Sequence, residues 1–464
     1  MAKHPLSKRD DEYEVSRRAL IKWTLAAGAA LGVSRAKIGE ILEKTAGKET
    51  ARAATALAST RSVHIVAGNG GLSWFQLMWP QPGVAMSNDA QFSYHLPGQA
   101  KLFAGTDNPL YLGPDSPFQS LPAQKQMTCF MCGTSRAHIT DANTTGDISG
   151  VNLYSIASSL QSSTAAVVPL ITIGGLAATG APGGVAPTNV GAAADVVGLF
   201  NSAASRAGGM LANAADATWY GVQYASFAQL NRAAATSVQQ SSYATASSAA
   251  KLLGTNLQSK LAITAADNTR YGLTSSTRST VTALGQALIV TAKAMALGLT
   301  NAVCIPAFLD DPHGAFASGD TVIVAPQLRM VLDAFMTDLQ NTTDSVSSEV
   351  LSDITTITIN GDTPKDIIHA GGNWDDGTPT GANLLYIYGA GNLKTGWFGS
   401  VNVSTATTTG YDDSANPATY NATNTAKYAT GSAAYAIARR DERAINAFTN
   451  GFTIGGIFGE ALES

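Results

Sequence analysis

Asp311 and His313 stand two residues apart, separated by a proline, just after the apolar run 302–309. A carboxylate and an imidazole at that spacing can share one divalent cation. Asn360-Gly361-Asp362 follows a second apolar run, and Trp374-Asp375-Asp376-Gly377 comes shortly beyond it. With Asp362 and either Asp375 or Asp376 added, the pair becomes a carboxylate shell carrying one imidazole. Hard oxygen donors favour Ca²⁺, Mg²⁺ or Mn²⁺, while the histidine keeps Zn²⁺ open, so one divalent cation is the expected cofactor. Each fragment also has an ordinary structural reading. Asp311 can cap a turn beside a core histidine, and Asp-Gly pairs are common turn formers. His64 lies inside an apolar run and reads as a core histidine. His369, just before Gly371-Gly372, is a loop residue able to act as a ligand.

These residues cooperate only if the fold gathers them. Six short apolar runs bounded by turn residues read as strands: 62–67, 126–132, 166–173, 302–309, 354–359 and 383–388. Helical periodicity covers 190–207, 218–235, 243–257, 280–297 and 321–339, with a final helix over 432–448. In the 321–339 segment Val324, Leu328, Leu332 and Phe335 share a face, Asp320 can cap it, and Pro326 argues for a start a few residues later. Buried strands alternating with helices give an α/β class, a mostly parallel central sheet flanked by helices. Ligand chemistry in such sheets collects at the carboxyl ends of strands. There the sequence places Gly68 to Leu72, Gly133 to His138, Asp310 to His313 and Asn360 to Asp362. The α/β domain is read over 54–399, followed over 400–464 by a Thr/Asn-rich loop or small subdomain and a C-terminal helix.

The first 53 residues have a different character. Ser16-Arg17-Arg18-Ala19-Leu20-Ile21-Lys22 precedes a short apolar stretch from Trp23 to Val33. A basic start, a short apolar core and a small-residue cleavage site near Ala51-Arg52-Ala53 read as a twin-arginine export signal. The partner of the precursor is then the twin-arginine export machinery, and the destination is the periplasm or the cell surface. Residues 1–53 hold 11 of the 29 basic and 7 of the 33 acidic groups, so the remainder carries a net charge of −8. That balance argues against nucleic acid or an anionic membrane as a main partner. No later segment reads as transmembrane. Cys129 and Cys132 form a C-x-x-C and Cys304 stands alone. The pair suits two buried small side chains at a strand end, able to close a small disulfide in an oxidising compartment, and it lacks the second pair a zinc site needs.

The strand-end motifs resemble those of twin-arginine-exported proteins of uncharacterised function in the alkaline phosphatase and sulfatase superfamily, over roughly residues 60–400. That family shows Gly-Gly-x-Asp-Gly-Leu after its first strand, where this chain has Gly68-Asn69-Gly70-Gly71-Leu72, with Gly70 at the metal-binding position. Its Thr-Arg-Ser-His is similar to Ser135-Arg136-Ala137-His138, with Ala137 at the nucleophile position. Its Asp-Thr-His is kept as Asp311-Pro312-His313. Its Ser-Glu-Phe-Gly-Arg aligns with Asn360-Gly361-Asp362, the acid lost at Gly361 or shifted to Asp362. Its Thr-Asp-His-Gly aligns with Trp374-Asp375-Asp376-Gly377, with Asp376 at the histidine position.

The resemblance implies a two-metal site of which one half is stripped and the other retains Asp311, His313 and Asp376. Without a hydroxyl at Ala137, no covalent intermediate forms there; Ser135, two residues away, can substitute only if the loop is rearranged. Arg136 and His138 remain suited to an anionic ligand. The expectation is an exported protein with an eroded metal site, serving as a non-catalytic binding or structural protein with an anionic ligand or a cell-envelope partner. Two alternatives stay open: a single-metal hydrolase of phosphate or sulfate esters, and a surface-layer or filament subunit.

Overall fold

Eight strands form the central sheet of the computed structural model, which describes residues 60–85, 101–102, 109–113, 115–134, 147–148, 150–162, 164–174, 181, 183–200, 252, 255–307, 311, 321–366, 375–449 and 457. In chain order they are β1 (Arg61–Ala67), β2 (Thr128–Thr134), β3 (Leu170–Ile173), β4 (Thr188–Val190), β5 (Ala302–Ala307), β6 (Thr355–Gly361), β7 (Ala382–Tyr388) and β8 (Gly396–Phe398). They lie in the order β8-β2-β7-β6-β1-β5-β3-β4. Within this sheet β7 alone runs against the rest, pairing antiparallel with β6 and β2. The other five pairings are parallel. The fold is therefore α/β with a mixed, mostly parallel sheet.

Successive strand residues point to opposite faces, and both faces are covered. Val63, Ile65 and Ala67 of β1 face one layer, with Leu384, Tyr386 and Tyr388 of β7. That layer contains helices α1 (Leu72–Met78), α3 (Ala193–Leu199), α4 (Ser279–Ala296) and α5 (Thr321–Gln340). Leu385 and Ile387 face the other layer, built from α2 (Leu153–Leu160), α6 (Ala422–Ile437) and α7 (Glu442–Thr449).

The six expected strands all lie in the sheet, with moved boundaries. The 166–173 run joins only from Leu170; before it, the Pro169 carbonyl accepts bonds from the Asn301 and Ala302 amides at 3.2 and 3.0 Å. The 190–207 helix is shorter than expected. Val190 belongs to β4, α3 begins at Ala193, and 201–207 lie outside the described residues. The 218–235 helix lies outside them too, as does 243–257 apart from Leu252 and 255–257. Helix α4 matches its expected span within a residue. Helix α5 begins at Thr321 and carries Pro326 inside it, so the proline does not delay the start. The expected C-terminal helix is two helices, α6 and α7, broken where Arg439 and Arg440 take φ of 49° and 69°. Residues 400–419 form a three-stranded antiparallel sheet: β9 (Ser400–Asn402), β10 (Thr407–Tyr411) and β11 (Pro417–Thr419). Asn421 then caps α6, its side chain accepting from the Asn424 amide at 3.0 Å.

Two buried polar features hold the sheet in register. Arg61 at the start of β1 pairs with Asp344 at 2.7 Å and donates to Asn301, all three fully buried. His64 sits between Thr358 Oγ1 at 2.8 Å on β6 and Ser62 Oγ at 3.0 Å. Burial pushes its imidazole down to a pKa of about 3, so it is neutral and structural, as its place in an apolar run suggests. Cys129 and Cys132 are free, buried thiols. Three positions apart on β2, they face opposite layers. Strand geometry thus corrects the expectation that they could close a disulfide. Among the described residues no helix is long and apolar enough to cross a membrane.

Candidate functional site

The three adjacent parallel strands β6, β1 and β5 end at one edge of the sheet, and their exits form the site. β1 leaves through Gly68-Asn69-Gly70, where Asn69 and Gly70 both take positive φ, 54° and 84°. Asn and Gly tolerate that region best. The two left-handed residues reverse the chain into α1, whose first turn is bonded back to Gly68 and Gly70. The Gly68 amide donates to the Ala307 carbonyl at 3.2 Å, tying the end of β1 to the end of β5.

β6 ends against β1 so closely that a Cβ on Gly361 would collide with the Ala67 carbonyl. This position cannot carry the acidic side chain that the family pattern puts there. The neighbouring Asp362 is fully buried and accepts from the Gly70 amide at 3.1 Å. Its own amide donates to Ala67 O at 3.2 Å. Asn383 Nδ2 donates to the Gly361 carbonyl at 2.6 Å, which fixes the start of β7 beside the end of β6.

The chain then forms a two-residue ribbon in which Lys365 pairs across from Asp376 and Asp366 across from Asp375. Gln76 of α1 holds its first strand. Gln76 Nε2 donates to the Lys365 carbonyl and its Oε1 accepts from the Lys365 amide, each at 3.0 Å. One side-chain amide thus acts as a rung of backbone. The ribbon is closed by the Gly377 amide, which donates to Pro364 O at 2.6 Å.

Lys365 is the centre of the arrangement. Its side chain is completely buried, and its ammonium bonds both Asp311 Oδ1, at 2.8 Å, and Asp376 Oδ1. The two carboxylates keep 23 % and 35 % of their side-chain exposure. Asp311 comes from the exit of β5. Asp376 precedes the antiparallel strand β7, whose beginning lies at the same edge as the end of β6. The expected convergence of Asp311 and Asp376 is found, and the group between them is a lysine ammonium.

The remaining expected residues are placed as follows. Asp362 joins the same edge but bonds Gly70. Asp375 takes its place in the ribbon. Ser135, Arg136, His138, His313 and His369 lie outside the described residues. Among the described residues no three His, Cys, Asp or Glu side chains are grouped to hold a metal ion. Sequence reasoning missed Lys365 and Gln76. Lys365 left one signal: in a chain with 13 % charged residues, a lysine three positions after a candidate ligand is a natural counter-ion.

Gly70 packs closely against Asp311. A Cβ there would lie 2.9 Å from Asp311 Cγ and 3.1 Å from Oδ1. The position that carries a ligand in the resembling family has no room for a side chain here. No family model, no curated protein and no solved structure matches this chain.

Proposed function

We infer that this chain is an exported protein of the alkaline-phosphatase and sulfatase type that no longer hydrolyses esters and acts as a binding or structural protein of the periplasm or cell surface. The observation that carries this reading is the Lys365 ammonium between Asp311 and Asp376. A divalent cation bound there has to displace a buried positive charge from both its partners, and expelling a buried, paired charge costs several kcal/mol. The closed approach of Gly70 to Asp311 supports the same reading, since it leaves no second ligand position. Ala137 supplies no hydroxyl to attack a phosphoryl or sulfuryl group. An anionic ligand held by Arg136 and His138 belongs to the same proposal.

The test is elemental analysis of the purified protein together with turnover of aryl phosphate and aryl sulfate esters. The expected result is less than one divalent metal per chain and no turnover above that of Asp311→Ala. One metal per chain with hydrolysis abolished in Asp311→Ala establishes the single-metal hydrolase instead. Export is tested separately: replacing Arg17 and Arg18 together by lysine is expected to hold the protein in the cytoplasm, and unchanged delivery rules out the twin-arginine route.

A further inference from the structure

The contact between Lys365 and Asp376 has the parts of a condensation reaction. Directly opposed residues of an antiparallel ribbon point to the same side, so Lys365 and Asp376 face each other by register as well as by charge. The lysine is wholly buried and cannot swing into water. Its backbone is fixed on both polar groups by Gln76, and the ribbon's other strand is fixed through Gly377 and Pro364. A second carboxyl, Asp311, four residues beyond the end of β5, touches the same nitrogen. A nitrogen nucleophile and a carboxyl carbon on one ribbon and a second carboxyl beyond β5 are held together. Such fixed geometry gives intramolecular reactions very high effective concentrations.

We propose that Lys365 and Asp376 are joined by an intramolecular isopeptide bond, with Asp311 relaying the protons. Lys365 Nζ attacks Cγ of Asp376, forming an N–C bond. One Asp376 oxygen leaves as water, carrying away two protons from the Lys365 nitrogen. The third ammonium proton stays on nitrogen as the amide N–H. Asp311 accepts a proton from nitrogen, passes it to the departing oxygen, and ends as it began. The ammonium and carboxylate charges cancel in a neutral amide, so atoms and charge balance without any oxidant, reductant or co-reactant. Two features favour the product. A buried ion pair pays for desolvation that a neutral amide avoids, and the partial exposure of Asp376 gives the water an exit. The new N–H keeps Asp311 as its acceptor.

This inference goes beyond the functional proposal and bears on it, since the linked Lys365 has no ammonium and Asp376 is then consumed as a possible metal ligand; the two are read separately, one by covalent mass, the other by metal content and turnover. The experiment is tryptic peptide mapping of the full chain. Between Arg329 and Lys394 the sequence has a single tryptic site, after Lys365. A cross-linked chain yields one peptide, 330–394, uncut after Lys365 and lighter by one water. An unlinked chain yields 330–365 and 366–394 at full mass. Wild type is expected to give the first pattern, and Asp376→Ala and Asp311→Ala to lose or greatly reduce it. Full cleavage after Lys365 in wild type overturns the proposal and leaves an ion pair. The linkage persisting undiminished in Asp311→Ala overturns the relay role. Lys365→Arg, which keeps the charge but cannot form this bond, serves as the folded, unlinked reference.

Discussion

A side chain on Gly70 would meet Asp311: its Cβ falls 2.9 Å from the aspartate Cγ, across the gap between the exits of β1 and β5. Gly70 also takes φ +84°, a conformation costing an L-residue about 1–2 kcal/mol. Restoring the acidic residue of the resembling family therefore adds strain, overlap and a like charge together. Gly70→Asp is expected to lower the stability by roughly 2–4 kcal/mol, at the upper end of single-substitution effects. Urea unfolding of Gly70→Ala and Gly70→Asp measures it. A Gly70→Asp protein as stable as wild type, with newly acquired metal, shows that the loop can move to make room.

His64 links stability to pH. Its folded-state pKa is about 3, held down by burial, against an ordinary 6.5 in the unfolded chain. Its contribution is complete above pH 6.5. Below that, only the unfolded chain takes up the proton, so stability falls by up to about 1.4 kcal/mol per pH unit until pH 3. The urea midpoint should drop between pH 7 and pH 5 in wild type and drop less in His64→Asn. Equal drops in both proteins assign the pH dependence to other groups.

The thiols are expected to be silent in the native state. Burial pushes all three cysteine pKa values up, and Cys129 and Cys132 face opposite layers. Labelling by a thiol reagent should be negligible until denaturant is added and should then reach three groups per chain. A reducing agent should leave the melting temperature unchanged. A fully oxidised C-x-x-C in protein recovered from the envelope contradicts this arrangement of β2.

The sequence was most informative where burial is complete. Runs such as Val63–Val66 and Leu384–Tyr388 are apolar on both faces, and only a covered sheet accommodates that. Boundaries were poorly legible, because Pro169, Val190 and the Arg439-Arg440 break are settled by hydrogen bonds to distant segments or by local φ. The meeting of Asp311 with Asp376 was legible as a strand-end juxtaposition. Its central atom was not, since Lys365 reaches the site through the register of a two-residue ribbon and the grip of Gln76. The C-x-x-C was legible as two buried small side chains, as β2 bears out, while the disulfide it also allowed fails because the strand turns the two thiols to opposite layers.

The position of β1 has a consequence for the order of events during synthesis. Its neighbours β5 and β6 begin at Ala302 and Thr355, so Arg61 meets Thr355 only after 294 further residues have been joined. At roughly 5–20 residues per second, this fully buried strand waits on the order of 15–60 seconds for β6. Through that interval Val63, Ile65 and Val66 lack their strand neighbours. Long-range parallel pairing of this kind is slow to form. The segment that precedes β1 is thus already outside the ribosome long before the sheet exists.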